Sequence, residues 1–223
     1  MIKAVASIPP LIIPALTNHT ATVIFLHGRG DTAYGWVESF KKEVRLPHVK
    51  YILPTAVRRP YSFYEGEVMT AWYDVHNNNG KRMEDDVSVE EGRQYIYQLI
   101  EKEKEMGIPY NRIVLGGFSM GGCLSLYSTL SAPFKLAGAI TMSCYLLQKH
   151  LFPGICTHNN ETPIWLGTGD QDAIIDISLV NESVDIINKC NSDLLFQIYK
   201  GLDHSVTRQE LDDCKDFLKR IIP

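Results

Sequence analysis

No run of about 18 apolar residues occurs in the chain, so no segment reads as a membrane-spanning helix. A basic excess is missing too: 22 Lys and Arg stand against 26 Asp and Glu, for a formal charge of −4. The longest basic cluster, Arg58-Arg59, is too short for the electrostatic footprint a nucleic acid needs. Cysteine is sparse and odd in number: Cys123, Cys144, Cys156, Cys190 and Cys214, with no C-x-x-C. That usage speaks against a disulfide framework or a zinc site and for reduced thiols in a cytoplasmic protein. The apolar start, MIKAVASIPPLIIPALTN, has the flavour of a signal peptide. Three prolines break it, however, and no clean cleavage site follows. Without a secretory route, the glycosylation sequons at Asn18, Asn160 and Asn181 are chance matches.

What remains suits one globular domain spanning 1–223, 45% hydrophobic and 22% charged. Short apolar runs at 21–26, 49–53, 112–115, 136–142, 164–166 and 195–199 have the unbroken hydrophobicity of strands covered on both faces. Helical patterns alternate with them, at 34–44, 85–106, from Ser119 onward, at 176–190 and at 207–221. In the last, Thr207-x-x-Glu210 reads as a capping box, and Leu211, Cys214, Phe217, Leu218 and Ile221 form the buried stripe. Alternating strand and helix predicts an α/β fold, a mostly parallel sheet with helices on both faces. The longest irregular stretch, 54–81, is rich in Tyr, Asn and Pro and is a candidate lid or binding loop.

The chemistry concentrates in IVLGGFSMGGCLSLY. Gly117-Phe118-Ser119-Met120-Gly121 fits G-x-S-x-G, with a strand candidate before it and a helix after. In a nucleophile elbow the serine occupies a tight turn, and the helix aims its first amides at developing negative charge. A serine needs a base. In α/β-hydrolases the order along the chain is Ser, then Asp or Glu, then His. Of seven histidines only His204, in YKGLDHS, follows the acidic candidates. The acid belongs to GTGDQDAIID, where spacing leaves Asp170, Asp172 and Asp176 open. Gly167-Thr168-Gly169 lacks the third glycine of a dinucleotide loop, so no cofactor and no metal are expected. The stretch VIFLHGRGDT puts His27-Gly28-Arg29-Gly30 after an early strand, where a second oxyanion amide is expected. Its Arg29-Gly30-Asp31 is also an adhesion tripeptide, but that reading needs an exposed loop on a secreted protein.

Taken together, VIFLHGRGDT, YILPTA, the tryptophan of MTAWYD, GIPYNRIVLGGFSMGG, GTGDQD and GLDHS resemble the acyl-protein thioesterase and lysophospholipase family of α/β-hydrolases, over about 9–223. The resemblance implies Ser119 as nucleophile, Asp172 as acid, His204 as base, and oxyanion amides on Leu26 and Met120. It places Met69 and Trp72 at the substrate, Trp72 being equally readable as a core aromatic; Arg29, at the mouth of the site, is a candidate to meet an anionic substrate group. Met120 replaces the usual Gln, as in the lysophospholipase-like branch; Arg29 replaces Leu; Thr168 stands where His is common. Arg29 is expected to pair with Asp31. The implied substrates are S-acylated proteins, lysophospholipids or small acyl esters, and a homodimer is compatible with the family. The alternatives are a short-chain carboxylesterase and a non-catalytic binding protein on a hydrolase scaffold.

Overall fold

The computed structural model describes residues 5–6 and 9–223; part of the apolar start, and with it part of the signal-peptide question, lies outside the described residues. The strands are β1 (Leu11–Ile13), β2 (Ala21–Leu26), β3 (Val49–Leu53), β4 (Arg58–Tyr61), β5 (Glu67–Thr70), β6 (Val75–Asn78), β7 (Lys81–Glu84), β8 (Ile113–Phe118), β9 (Gly138–Met142), β10 (Ile164–Gly169) and β11 (Leu194–Tyr199). The helices are α1 (Asp86–Glu105), α2 (Met120–Leu130), α3 (Ile177–Ile187) and α4 (Arg208–Ile221).

Seven strands form one sheet in the order β1-β3-β2-β8-β9-β10-β11. Only β1 runs antiparallel to its neighbour; the others pair in parallel. Alternate side chains of each strand enter opposite layers. Ile24 and Leu26 of β2 pack with α1, α2 and α3, whereas Val23 and Phe25 pack with α4 and the 33–46 segment. The sheet is thus covered on both faces, an α/β-hydrolase architecture. The chain leaves β2 to one side, for β3, and later returns to its other side as β8. Ligand sites of open α/β sheets lie at the carboxyl ends of strands at such a reversal.

Packing, not surface charge, holds the helices. In α1, Val89, Ile96, Leu99 and Ile100 are buried, each stabilising by roughly 1.5–3 kcal/mol, against about 0.3–0.5 kcal/mol for a surface pair such as Arg93–Glu90. Asp85 caps its first turn by accepting from the Ser88 amide at 2.8 Å. Gly107, at φ +95°, ends it.

Three expectations need correction. The 34–44 segment is no regular helix: it makes a 3-10 turn at Ala33–Gly35 and a π-helical turn at Ser39–Glu43, seating Trp36 and Phe40 on Phe25. The irregular 54–81 stretch holds the β4–β5 hairpin and the first strand and turn of the β6–β7 hairpin, whose second strand runs on to Glu84. The capping box is half made. Thr207 Oγ1 accepts from the Glu210 amide at 3.2 Å, but the Glu210 carboxyl is fully buried and neither of its oxygens has a partner. It lies against Gly167, where a Cβ would come within 2.7 Å of Oε1.

Burial, with a further contribution from Asp213, pushes the Glu210 carboxyl up from 4.5 to about 7, and the nearby Thr207 backbone offsets only part of it. With the folded value raised, the folded state carries no penalty below pH 4.5 and loses stability as pH rises toward 7. Between pH 5 and 8 this group alone should remove about 2–3 kcal/mol. Urea denaturation of Glu210→Gln should show a pH dependence flatter than wild type by that amount; equal slopes would place the charge elsewhere.

Candidate active site

At the carboxyl end of β8 the backbone turns abruptly. Ser119 adopts φ 54° and ψ −121°, a left-handed conformation that costs a non-glycine residue about 1–3 kcal/mol. Its neighbours hold it there. A Cβ on Gly117 would come within 2.4 Å of the Gly121 backbone, and one on Gly121 within 2.3 Å of the Leu26 carbonyl oxygen. The two glycines of G-x-S-x-G therefore let α2 pack directly on the ends of β8 and β2. The Ser119 amide donates to the Met142 carbonyl at 2.9 Å, tying the turn to β9. Met120 opens α2, and amides in a helix's first turn have no acceptor within the helix.

Two further strand ends bring in the partners. His204, in the loop between β11 and α4, places Nε2 at 2.9 Å from Ser119 Oγ. Its Nδ1 lies 2.6 Å from Asp172 Oδ2, in the loop after β10. The Asp172 side chain is fully buried and that of His204 one-fifth exposed. Burial alone would raise the Asp172 carboxyl. The His204 hydrogen bond and the Ile175 and Ile174 amides outweigh it, and the carboxyl is held below its usual range. An ionised Asp172 can only accept, so the His204 proton sits on Nδ1 and Nε2 presents its lone pair to the serine hydroxyl. Geometry separates the three aspartates left open by spacing. Asp170 accepts from the Gly201 amide at 2.6 Å, Asp176 caps α3, and Asp172 meets the histidine.

The His27–Asp31 loop closes over the serine from β2. Gly28 approaches closely: a Cβ there would lie 3.5 Å from Ser119 Cβ and 3.1 Å from the Phe118 ring. His27 is buried, and burial lowers its pKa. Its Nε2 accepts from the Ala56 amide at 3.0 Å, so the ring proton is on Nδ1, donated to the Gly28 carbonyl at 2.6 Å. Trp72 Nε1 donates to the His27 carbonyl at 2.8 Å. The Gly30 amide donates to the Thr70 carbonyl at 2.9 Å, and Thr70 Oγ1 donates to the Asp31 carbonyl at 2.7 Å. The loop is thus set by hydrogen bonds from the 54–72 segment, which the sequence pattern did not reveal.

Several candidate residues sit elsewhere than expected. Leu26 lies inside β2, in register with Gly117 of β8; the loop backbone that borders Ser119 is at Gly28. The next amide, that of Arg29, makes no backbone hydrogen bond among the described residues. Trp72 is fully buried, stacked near Tyr95, and supports the loop from behind instead of forming a site wall. Met69 is half-buried in β5, opposite Arg59. Arg29 does not pair with Asp31. Its guanidinium lies over the rings of Tyr61 and Tyr64, at 5.0 and 4.6 Å, and donates to their hydroxyls at 3.4 and 2.9 Å. A planar cation suits two aromatic faces better than a single carboxylate.

A cavity of about 500 Å³ lies beyond Asp172, bounded by Tyr145, Leu146, Ile174, Leu179 and the β6–β7 hairpin. A second, of about 300 Å³, includes His204 itself. No cluster of three or more metal-ligating side chains occurs among the described residues. No described helix is long and apolar enough to cross a membrane.

The fold and the arrangement at the strand ends are those of an α/β-hydrolase. The phospholipase/carboxylesterase family model matches residues 9–222, and the chain belongs to that family of serine hydrolases. It is 41% identical to an acyl-protein thioesterase 1 of Neurospora crassa, over 96% of this chain and 92% of that protein. It is 36% identical to one of Gibberella zeae, over 97% of both. Among solved structures, Zea mays acyl-protein thioesterase 2 superposes with a TM-score of 0.86 at 24% identity, covering 96% of this chain and 99% of that one. Arabidopsis thaliana SOBER1 gives 0.83 at 23% identity, covering 92% and 100%. At these identities the two structures speak for the fold alone.

The glycine contacts make a direct prediction. Gly121→Ala forces a methyl against a backbone carbonyl and should destabilise the protein by about 1–3 kcal/mol or more. A thermal melt reads this; an unchanged midpoint would mean that α2 shifts freely.

Proposed function

We propose that the chain hydrolyses acyl esters and thioesters through an acyl-enzyme, with Ser119 as nucleophile, His204 as general base and acid, and Asp172 orienting the histidine. The observation that carries this reading is the continuous hydrogen-bonded line from Asp172 through His204 to Ser119. Ser119 Oγ attacks the acyl carbonyl while His204 Nε2 takes its proton. The tetrahedral oxyanion is received by the amides of Met120 and Arg29, the latter in place of Leu26 because Gly28, beside it, approaches Ser119 and the Arg29 amide makes no backbone hydrogen bond among the described residues. His204 then protonates the departing thiolate or alkoxide. A water deprotonated by the same nitrogen hydrolyses the acyl-serine. The chemistry uses only groups the chain supplies.

The substrates are S-acylated proteins, in keeping with the names of the fungal relatives at 41% and 36% identity. The cavity bounded by Leu146, Ile174 and Leu179, which also carries Lys81, Arg82, Glu84, Lys149 and Asp176 on its rim, offers an acyl chain apolar surface near the loop that holds Asp172. Lysophospholipids and small esters offer the same carbonyl. A cytoplasmic setting accords with five cysteines that are all free thiols.

The test is hydrolysis of acyl-cysteine peptides and p-nitrophenyl esters of two to sixteen carbons. Wild type should cleave both classes and favour chains of medium or greater length. Ser119→Ala should lose essentially all turnover, and Asp172→Asn should lower kcat about 10⁴-fold by fixing the wrong histidine tautomer. Full activity in Ser119→Ala would overturn the assignment, and a sharp optimum at acetate would favour a short-chain carboxylesterase.

A further inference from the structure

The second cavity is lined by His204, the residue that in the proposed mechanism protonates the leaving atom, so it adjoins the leaving-group end of the reaction. Its walls include Asp31, Trp36, Ser39 and Phe118, and no Lys or Arg is among its lining residues. The Asp31 carboxylate is half-buried and makes no hydrogen bond or ion pair among the described side chains. Its nearest cation along the chain, Arg29, is drawn off onto Tyr61 and Tyr64. Gly35 makes room for that carboxylate: a Cβ there would fall within 2.5 Å of Oδ2. Opposite stands an aromatic row. Trp36 lies 5.6 Å from Phe118, and Phe118 lies 4.8 Å from the His204 ring, centroid to centroid.

A solvent-reached, unpaired carboxylate beside an aromatic wall, in a space of about 300 Å³, matches one kind of occupant. It is a long side chain that lays an apolar stem on aromatic rings and carries a cation at its tip. We propose that this cavity is a subsite for a Lys or Arg next to the acylated cysteine, so that the substrate class is S-acyl peptide segments with a basic flank. The proposal rests on Ser119 and His204 being the reacting pair. Because His204 both lines the cavity and meets the leaving sulfur, a side chain seated there belongs to a residue adjoining the cysteine. Asp31 is then a specificity-determining residue. It contacts the part of the substrate that leaves and takes no part in bond breaking.

The experiment compares three S-octanoyl-cysteine peptides that differ only beside the cysteine, carrying Lys, Ser or Glu. For wild type, kcat/KM should fall in that order, with Lys over Glu by about threefold to tenfold at low salt and less at 0.5 M NaCl. Asp31→Asn should bring the ratio close to one. Ser39→Lys, which leaves Asp31 in place and puts a cation in the same cavity, should do the same, so a folding defect in one variant does not decide the matter. Equal rates for all three peptides in wild type, or a preference that survives both substitutions, overturns the subsite while leaving the hydrolase reading intact. Cleavage of p-nitrophenyl esters but of no S-acyl peptide overturns the proposed substrate class. Failure to cleave any ester or thioester overturns the catalytic reading itself.

Discussion

Gly121 sits where any side chain would strike the carbonyl oxygens of Leu26 and His27, and the geometry of the site follows from that contact. It lets the first turn of α2 rest directly on the end of β2. Ser119 is then left at the crest of a turn with φ 54°, a conformation the surrounding backbone imposes and the serine would not choose. The same contact sets the His27–Asp31 loop beside Ser119, so serine and loop are positioned by one packing event. Sheet order makes this available: β2 and β8 are neighbours where the chain reverses direction across the sheet.

Electrostatics completes what packing begins. Asp172 is buried, which would favour its neutral form, yet two backbone amides and the His204 ring keep it ionised. A buried charge with three donors is stable and rigid, and it orients the imidazole lone pair at Ser119. The contrast with Glu210 is instructive. That carboxyl is equally buried but neither oxygen makes a hydrogen bond, and its pKa rises instead, the nearby Thr207 backbone offsetting only part of the burial. Two acids in one fold are thus driven in opposite directions by the presence or absence of hydrogen-bond donors.

How much of this the sequence carried depended on burial. Strands covered on both faces read as unbroken apolar runs, and β2 and β3 fall at the predicted boundaries. The edge strand β1 was missed because Ile12 is exposed and the run is only three residues long. The β6–β7 hairpin was missed although Asn79-Gly80, both at positive φ, is a strong two-residue turn signal. Its strands, VHNN and KRME, are too polar to attract notice. The serine and the histidine were legible from motif and chain order. The choice among three aspartates was not, since only the direction of hydrogen bonds distinguishes them, and the family resemblance supplied it. Arg29 went astray because charge pairing is a local expectation, whereas Tyr61 and Tyr64 arrive from more than thirty residues away in the chain.

Ser119 is proposed as the activated hydroxyl, and its reactivity can be read directly. A fluorophosphonate probe reacts with serines whose hydroxyl is deprotonated by a base as it attacks. Intact-mass analysis after labelling, followed by peptide mapping, should find a single adduct on the peptide containing Ser119, greatly slowed in His204→Ala. An adduct on another serine, or none on the folded protein, would contradict the assignment of Ser119, His204 and Asp172 as the reacting centre.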